Sequence, residues 1–199
     1  PINMDDELID LHSNNKKLMP FLHLPVQSGS SKILKMMNRK YDVEFYRDII
    51  FKIRDKSPNI EISSDFIIGY PGESEQDFIN TLDLIDDIKF TQSYSFIYSA
   101  RPGTKSAMIE DNLTKKVKSE RLKILQSKLT EIQHDFNKTH VGKKTSVLIE
   151  NQSATNPEYY FGRTPYMQSV YIKSNNLING EEKDIKITSC NHKSLYGTC

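Results

Sequence analysis

The sequence predicts an α/β fold followed by an all-β module, and three patterns predict it. Short apolar runs alternate with helical periodicity through about residue 105, a long amphipathic basic segment follows, and from Thr145 the hydrophobic period becomes two. The 37% hydrophobic and 27% charged content is that of a globular chain. No apolar run approaches the roughly 20 residues a membrane span needs, so no membrane partner is expected. The first residues, PINMDDELIDLH, are acidic where a secretory leader is basic and then apolar. The expected compartment is therefore the cytosol.

Residues 20–26 (PFLHLPV), 60–69 (IEISSDFIIG) and 93–99 (SYSFIYS) read as buried parallel strands, being short, apolar and β-branched or aromatic. Between them, 42–56 sets Phe45, Ile49, Ile50 and Ile53 on one helical face, and 74–88 does the same with Phe78, Ile79, Leu82 and Ile85. Ser74 with Asp77 fits a capped start for the second helix. The result is a β-α-β-α-β run whose right-handed crossovers lay three strands side by side. Three units do not close an eight-stranded barrel, and the chain starts at Pro1. The expectation is the C-terminal part of a larger α/β protein, the alternative a small complete three-layer domain.

Residues 113–144 read as one long helix with an apolar stripe of Val117, Leu122, Leu125, Leu129, Ile132 and Phe136, stopped at Gly142. Beyond it, 145–150, 159–164, 168–173, 184–189 and 194–199 alternate as five short strands separated by Asn, Gly and Pro. Five strands in so short a span cover their edges best as a small OB-like barrel. The domains are expected at 1–141 and 142–199.

Net charge is +1 but uneven: residues 114–144 hold nine basic against three acidic side chains. That imbalance points to a polyanionic partner or to a solvated helix face. Cys190 and Cys199 are the only cysteines, without CxxC spacing, and the five histidines form no HExxH pair. No metal site and no catalytic residue is expected in this chain.

Each of the three strands runs into a polar, glycine-bearing loop: Gln27-Ser28-Gly29-Ser30-Ser31, Gly69-Tyr70-Pro71-Gly72-Glu73, and Tyr98-Ser99-Ala100-Arg101-Pro102-Gly103. Parallel strands bring such loops to one rim, where α/β folds bind their ligands. The alternative for the first loop is that Ser30 or Ser31 caps the next helix.

LHLPVQSGS, MNRKY, DFIIGYPGESEQDF, YSARPGT and, in the barrel, GRT (162–164) resemble in order and spacing the signature blocks of the radical S-adenosylmethionine methylthiotransferases. Within that family the pattern is most similar to the MiaB type, which adds a methylthio group to C2 of an isopentenylated adenosine beside the tRNA anticodon. Gln27-Ser28-Gly29 argues against the ribosomal-protein-modifying branch, while a sister branch acting on threonylcarbamoyl-adenosine stays open. The resemblance covers the whole chain. It implies the C-terminal half of a partial parallel (βα)6 barrel, a linking helix and a TRAM barrel.

The resemblance also implies S-adenosylmethionine and two 4Fe–4S clusters. Cluster ligation needs thiolates, and no cysteine precedes residue 190, so this chain is expected to be inactive alone. The missing N-terminal half of the same protein is an implied partner. By the same resemblance Gln27, Ser28, Ser30, Arg39, Ser64, Asp65, Gly69, Gly72, Glu73, Phe96 and Tyr98 bind the cofactor, with Gly29 allowing close approach and Arg39 gripping its carboxylate. For Arg39 the alternative is a surface ion pair with Asp42 or Glu44. Arg101, Lys143, Lys144, Arg163 and Tyr166 are the implied substrate or RNA contacts, the partner being a tRNA anticodon stem-loop; the alternatives are that Arg101 braces the rim and that alternate barrel aromatics form the core. Two other readings stand beside this one: a non-catalytic RNA-binding remnant, and a self-contained sugar-phosphate enzyme.

Overall fold

The computed structural model describes residues 1–154, 156–174 and 176–199. Residues 1–18 with 22–129 form one compact unit, and residues 19–21 with 130–199 form the other.

In the first unit the order is α1 (Asp6–Asn14), β1 (Phe21–His23), α2 (Ser31–Met36), α3 (Val43–Lys56), β2 (Glu61–Ile68), α4 (Glu75–Ile88), β3 (Gln92–Ile97) and the start of α5 (Lys115–Lys138). The sheet order is β1-β2-β3. β2 and β3 are parallel, with Asp65 opposite Tyr94 and Ile67 opposite Phe96. Alternation along β2 sends Ile62, Ser64, Phe66 and Ile68 into the interior, all fully buried. Phe66 meets the buried Phe90 ring edge-on at 5.3 Å, and burying each such ring contributes about 2–3 kcal/mol.

Two helix faces differ from expectation. Phe45 and Ile79 are exposed, whereas Tyr46, Leu84 and Ile88 are buried. Tyr46, Ile49, Ile50 and Ile53 follow the i, i+3, i+4, i+7 rule and Phe45 lies one residue off it. Tyr46 enters the core because its hydroxyl donates to the Leu24 carbonyl at 2.8 Å, satisfying the phenol that burial would otherwise strand.

The first strand is shorter than the expected 20–26 because Pro25 brings no N–H to the ladder. The next amide, Val26, donates instead to Ser64 Oγ at 2.9 Å. Pairing resumes at Gln27, whose N–H donates to the Asp65 carbonyl and whose own carbonyl accepts from Ile67, each at 2.9 Å. Beyond the tip, Ser30 caps α2: its Oγ accepts from Ile33 N and donates to Asp77 Oδ1 at 2.6 Å. Asp77 also closes the expected capping box with Ser74 and accepts from Lys32 Nζ at 2.7 Å. Burial opposes ionisation of Asp77, but the bonds from Lys32, Ser30 and Ser74 outweigh it and hold the carboxyl well below its usual range.

In the second unit β4 (Lys144–Gln152), β5 (Tyr159–Arg163), β6 (Ser169–Lys173), β7 (Glu182–Cys190) and β8 (Ser194–Thr198) form a closed barrel in the order β4-β5-β6-β8-β7. All five expected strands are present. Val147, Ile149, Val170, Ile172, Ile185, Ile187 and Leu195 fill the interior. The predicted long helix ends at Lys138, before Gly142. Its last turns bond into the barrel: Asn137 accepts from Gln168 Nε2 at 2.9 Å and donates to the Asn191 carbonyl at 3.0 Å. The two compact units divide within α5, after Leu129.

Asp77→Asn is expected to destabilise the first unit by about 2–4 kcal/mol at pH 7, since it weakens several bonds to a charged acceptor. A depressed folded pKa contributes stability above the unfolded pKa and loses it as pH falls through the folded one, so the difference from wild type shrinks below about pH 4. Urea denaturation at pH 7, 5 and 3 measures both. In the barrel, a Cβ on Gly162 would stand 2.4 Å from the Leu148 carbonyl oxygen. Gly162→Ala is therefore expected to cost about 1–3 kcal/mol, read from the same denaturation curves.

Candidate functional site

The first unit opens a hollow at the carboxyl ends of its three strands. Two adjoining depressions of about 620 and 700 Å³ share Arg39, Ile67, Tyr98, Arg101, Thr104 and Ser106. Gln27, Asp65 and Phe96 line the first of them, and Tyr70 lines the second. Six of the residues expected from the sequence thus meet in one place: Gln27, Arg39, Asp65, Phe96, Tyr98 and Arg101.

The backbone explains how they get there. Gln27 has φ 77°, a left-handed conformation that costs a non-glycine residue about 1–2 kcal/mol. Its amide and carbonyl are both fixed by β2, so the strand end is held in a strained turn. Arg39 follows α2, is exposed, and makes no ion pair among the described residues. The ion pair with Asp42 or Glu44 does not form, because Asp42 caps α3 and Glu44 faces Arg47. Tyr98 packs edge-on against Tyr70 at 4.9 Å. Its buried hydroxyl has no hydrogen-bond partner among the described residues, an orphan polar atom beside the hollow.

Ser28, Ser30, Ser64 and Glu73 stand elsewhere. Ser28 is buried against Thr81, and Ser30 serves as the cap described above, the alternative the sequence had left open. Ser64 is on the helix-facing side of β2, one residue out of phase with Asp65. Glu73 is buried in an ion pair with Arg121 of α5 at 2.8 Å, and its Oε2 also accepts from Gly69 N at 3.0 Å. Burial raises the Glu73 pKa, and the Arg121 and Gly69 bonds offset only part of that rise.

The close approach expected at Gly29 is made by α4 and not by a ligand, since a Cβ there would lie 2.5 Å from the Asn80 carbonyl oxygen. Gly69, at φ 71°, similarly faces the Lys118 side chain of α5, 2.7 Å from where a Cβ would sit. The turn is thus braced by α5 at Gly69 and Glu73, while its Tyr70 lines the second depression and a Cβ on Gly72 would stand 3.1 Å from Met36, which lines it too. Lys118 and Arg121 are residues that sequence reasoning missed. Their only signal is a three-residue spacing on a helix already rich in cations.

A 4Fe–4S cluster does not fit these residues. The chain's two cysteines lie at 190 and 199, outside this unit. Among the described residues no group of histidine, cysteine or carboxylate side chains gathers to hold a metal.

On the second unit, Lys143 and Lys144 are exposed. Arg163 is engaged within the barrel, by Glu150 at 3.1 Å and the Met167 carbonyl at 3.2 Å, with its guanidinium over the Phe161 ring at 5.3 Å. Tyr166 packs edge-on against Phe136 and His140, both at 5.6 Å. Phe161, Tyr171 and Tyr196 form a continuous row across β5, β6 and β8, with centroids 5.5 and 5.7 Å apart. Tyr196 was not among the expected contacts. Strand order, with β8 beside β6, is what brings it into the row.

Comparison with known proteins follows the same division. Residues 1–85 match the model of the Radical SAM superfamily, and residues 138–199 match that of the TRAM domain. The chain is 52% identical over 198 residues to a tRNA-2-methylthio-N(6)-dimethylallyladenosine synthase of Rickettsia felis, covering 99% of this chain and 44% of that protein. A protein of the same name from Rickettsia canadensis is 51% identical over the same coverage. Among solved structures, coproporphyrinogen III oxidase from Escherichia coli, described as a radical SAM enzyme, matches 73% of this chain and 41% of its own at 16% identity and a TM-score of 0.49. The chain spans less than half the length of the curated relatives it matches. Two family regions thus stand in series, that of the Radical SAM superfamily and that of the TRAM domain, and about half of this chain's residues are shared end to end with part of proteins named tRNA-2-methylthio-N(6)-dimethylallyladenosine synthase.

Proposed function

We propose that this chain supplies part of the cofactor pocket and the RNA-binding barrel of an enzyme that adds a methylthio group to a dimethylallylated adenosine of tRNA, in the cytosol. The observation that carries the reading is the convergence of Gln27, Arg39, Asp65, Phe96, Tyr98 and Arg101 on one hollow, in a chain whose relatives bear that enzyme's name. S-adenosylmethionine supplies the radical chemistry of the family, and these residues would hold and orient it. The unpaired Arg39 guanidinium suits a carboxylate, which it can grip with two parallel hydrogen bonds. Asp65 and Gln27 offer acceptors for hydroxyls, and Phe96 and Tyr98 offer apolar walls. The clusters, whose ligands this chain lacks, belong to the remainder of the protein, together with the first part of the barrel.

For RNA, the exposed Lys143 and Lys144 offer charge for phosphates, and the aromatic row on the same barrel offers faces for stacking. We assign the contact to the anticodon stem-loop, which holds the modified adenosine in the family. The relatives' dimethylallyladenosine names favour that substrate over the threonylcarbamoyl one, and a match that runs through both units, the hollow as well as the barrel, favours an enzyme over a binding remnant.

Two measurements test the reading. Calorimetric titration with S-adenosylhomocysteine is expected to give saturable binding that Arg39→Ala weakens about tenfold or more, the loss of a bidentate charged pair. No binding by the wild-type chain would remove the pocket. Filter binding to tRNA as salt rises is expected to give a steep log–log slope, shallower by roughly 1–2 in the Lys143→Ala/Lys144→Ala double variant. A slope near zero would remove the RNA assignment.

A further inference from the structure

Between α2 and the first turn of α3 lies a cleft of about 510 Å³, separate from the hollow, that none of the expected roles includes. Lys35, Arg39 and Lys40 line it together with Tyr41, Asp42 and Phe45. The three cations are exposed and make no ion pair among the described residues. The one carboxylate beside them is engaged in the fold, because Asp42 Oδ1 accepts from Phe45 N at 2.9 Å as the cap of α3. Lys35 and Arg39 also line the second depression of the hollow, so the cleft and the hollow meet along these two side chains.

The backbone fixes how these groups are presented. Asn38 takes φ 59°, a left-handed conformation, and Arg39 N donates to the Leu34 carbonyl at 2.9 Å, which ends α2 and turns Arg39 and Lys40 outward. Lys40 Nζ donates to Asn38 Oδ1 at 3.0 Å, a neutral partner that leaves its charge uncompensated. Tyr41 is half-buried, and its hydroxyl donates to the Pro25 and Val26 carbonyls at 3.3 and 3.2 Å, so its ring is anchored. Phe45 keeps 42% of its surface exposed, although its neighbour Tyr46 is fully buried. A single exposed phenylalanine needs no explanation. Beside an anchored tyrosine and three unpaired cations it completes a surface of charge and ring faces.

We infer that this cleft is an RNA-contacting surface of the first unit, which takes unpaired nucleotides by stacking a base on Phe45 and Tyr41 and holding the adjacent phosphates with Lys35, Arg39 and Lys40. An acidic peptide would use the cations and leave the ring faces idle, and a duplex keeps its bases stacked on one another. Unpaired nucleotides use both features, since every base has a face to stack and every phosphate a charge to neutralise. The inference goes beyond the barrel contact, because the cleft belongs wholly to the first unit. It stands or falls separately from the cofactor pocket.

Fluorescence anisotropy of a short single-stranded RNA against the full chain tests it, with heparin as a polyanion that has no bases. Lys35→Ala/Lys40→Ala is expected to make the log–log salt slope for RNA shallower by about 1.4, at about 0.7 for each phosphate neutralised on a single strand. Phe45→Ala is expected to weaken RNA binding about tenfold, the loss of one stacked base, with the slope and the affinity for heparin unchanged. Phe45→Tyr, which keeps a ring, is expected to retain most of the affinity. Phe45 and the lysines are exposed, so these substitutions open no cavity in the core. RNA binding unaltered in both the lysine and the Phe45→Ala variants would overturn the inference, as would equal weakening of RNA and heparin by Phe45→Ala. The Lys143→Ala/Lys144→Ala variant keeps the two RNA readings apart. If it alone weakens RNA binding, the cleft falls and the barrel contact stands; if only the cleft variants do, the barrel contact falls and the cleft stands.

Discussion

The site depends on one constraint: the end of the first strand is tied to β2 through both backbone groups of Gln27. Pro25 removes an amide from the ladder, Ser64 takes up the amide that follows, and Gln27 re-enters the pairing with a positive φ. Without the Ser64 hydroxyl, Val26 would bring an unsatisfied N–H into a fully buried position, a cost of about 1–3 kcal/mol. Because β2 and β3 run parallel in fixed register, anchoring Gln27 to Asp65 and Ile67 also sets its position relative to Phe96. The hollow is thus a consequence of backbone pairing, with its side chains carried into place.

The polar residues around the strand tips then divide into two sets with different energetics. Ser28, Ser30, Ser64, Asp77, Glu73 and Arg121 spend their hydrogen bonds inside the fold. The Arg39 and Arg101 side chains, which line the hollow, make no ion pair among the described residues. The inner set is satisfied almost throughout, as buried groups must be. Its exceptions, Glu73 Oε1 and Arg121 Nε, lie on the brace where burial raises the carboxyl pKa. A ligand-binding rim of flexible polar loops would cost ordering entropy at each binding event. Here the inner lattice has ordered the loops in advance.

Much of this was legible in the sequence, and the misses have definite causes. Element types follow from periodicity, the five-stranded barrel from the need of so few strands to cover their edges, and the gathering of three loops on one rim from parallel strand geometry. The errors lie where a one-residue phase or a tertiary partner decides. Phe45 against Tyr46 is a choice of 100° around a helix, settled by a carbonyl from another element that the phenol can reach. Ser64 against Asp65 is a choice of strand face; the pattern Ile62, Phe66, Ile68 already assigns Ser64 to the interior, so parity carried information that motif matching passed over. Arg121, Lys118 and Tyr196 were not legible because their partners come from distant segments, and no local pattern marks a residue whose role is to meet another.

The two units handle their strand edges differently, and the difference bears on where each meets other molecules. The barrel pairs every strand on both sides, so its backbone is satisfied internally and it offers side chains outward, the Phe161–Tyr171–Tyr196 row among them. The three-stranded sheet pairs only β2 on both sides. β3 keeps an unpaired edge with Tyr94 61% and Phe96 55% exposed, although strand alternation puts these rings on the same side as Asp65. Phe96 therefore serves both as a wall of the hollow and as part of an open aromatic face. A change there that alters ligand affinity would also alter the tendency of the edge to associate, so binding and oligomeric state have to be measured together before either effect is attributed to the pocket.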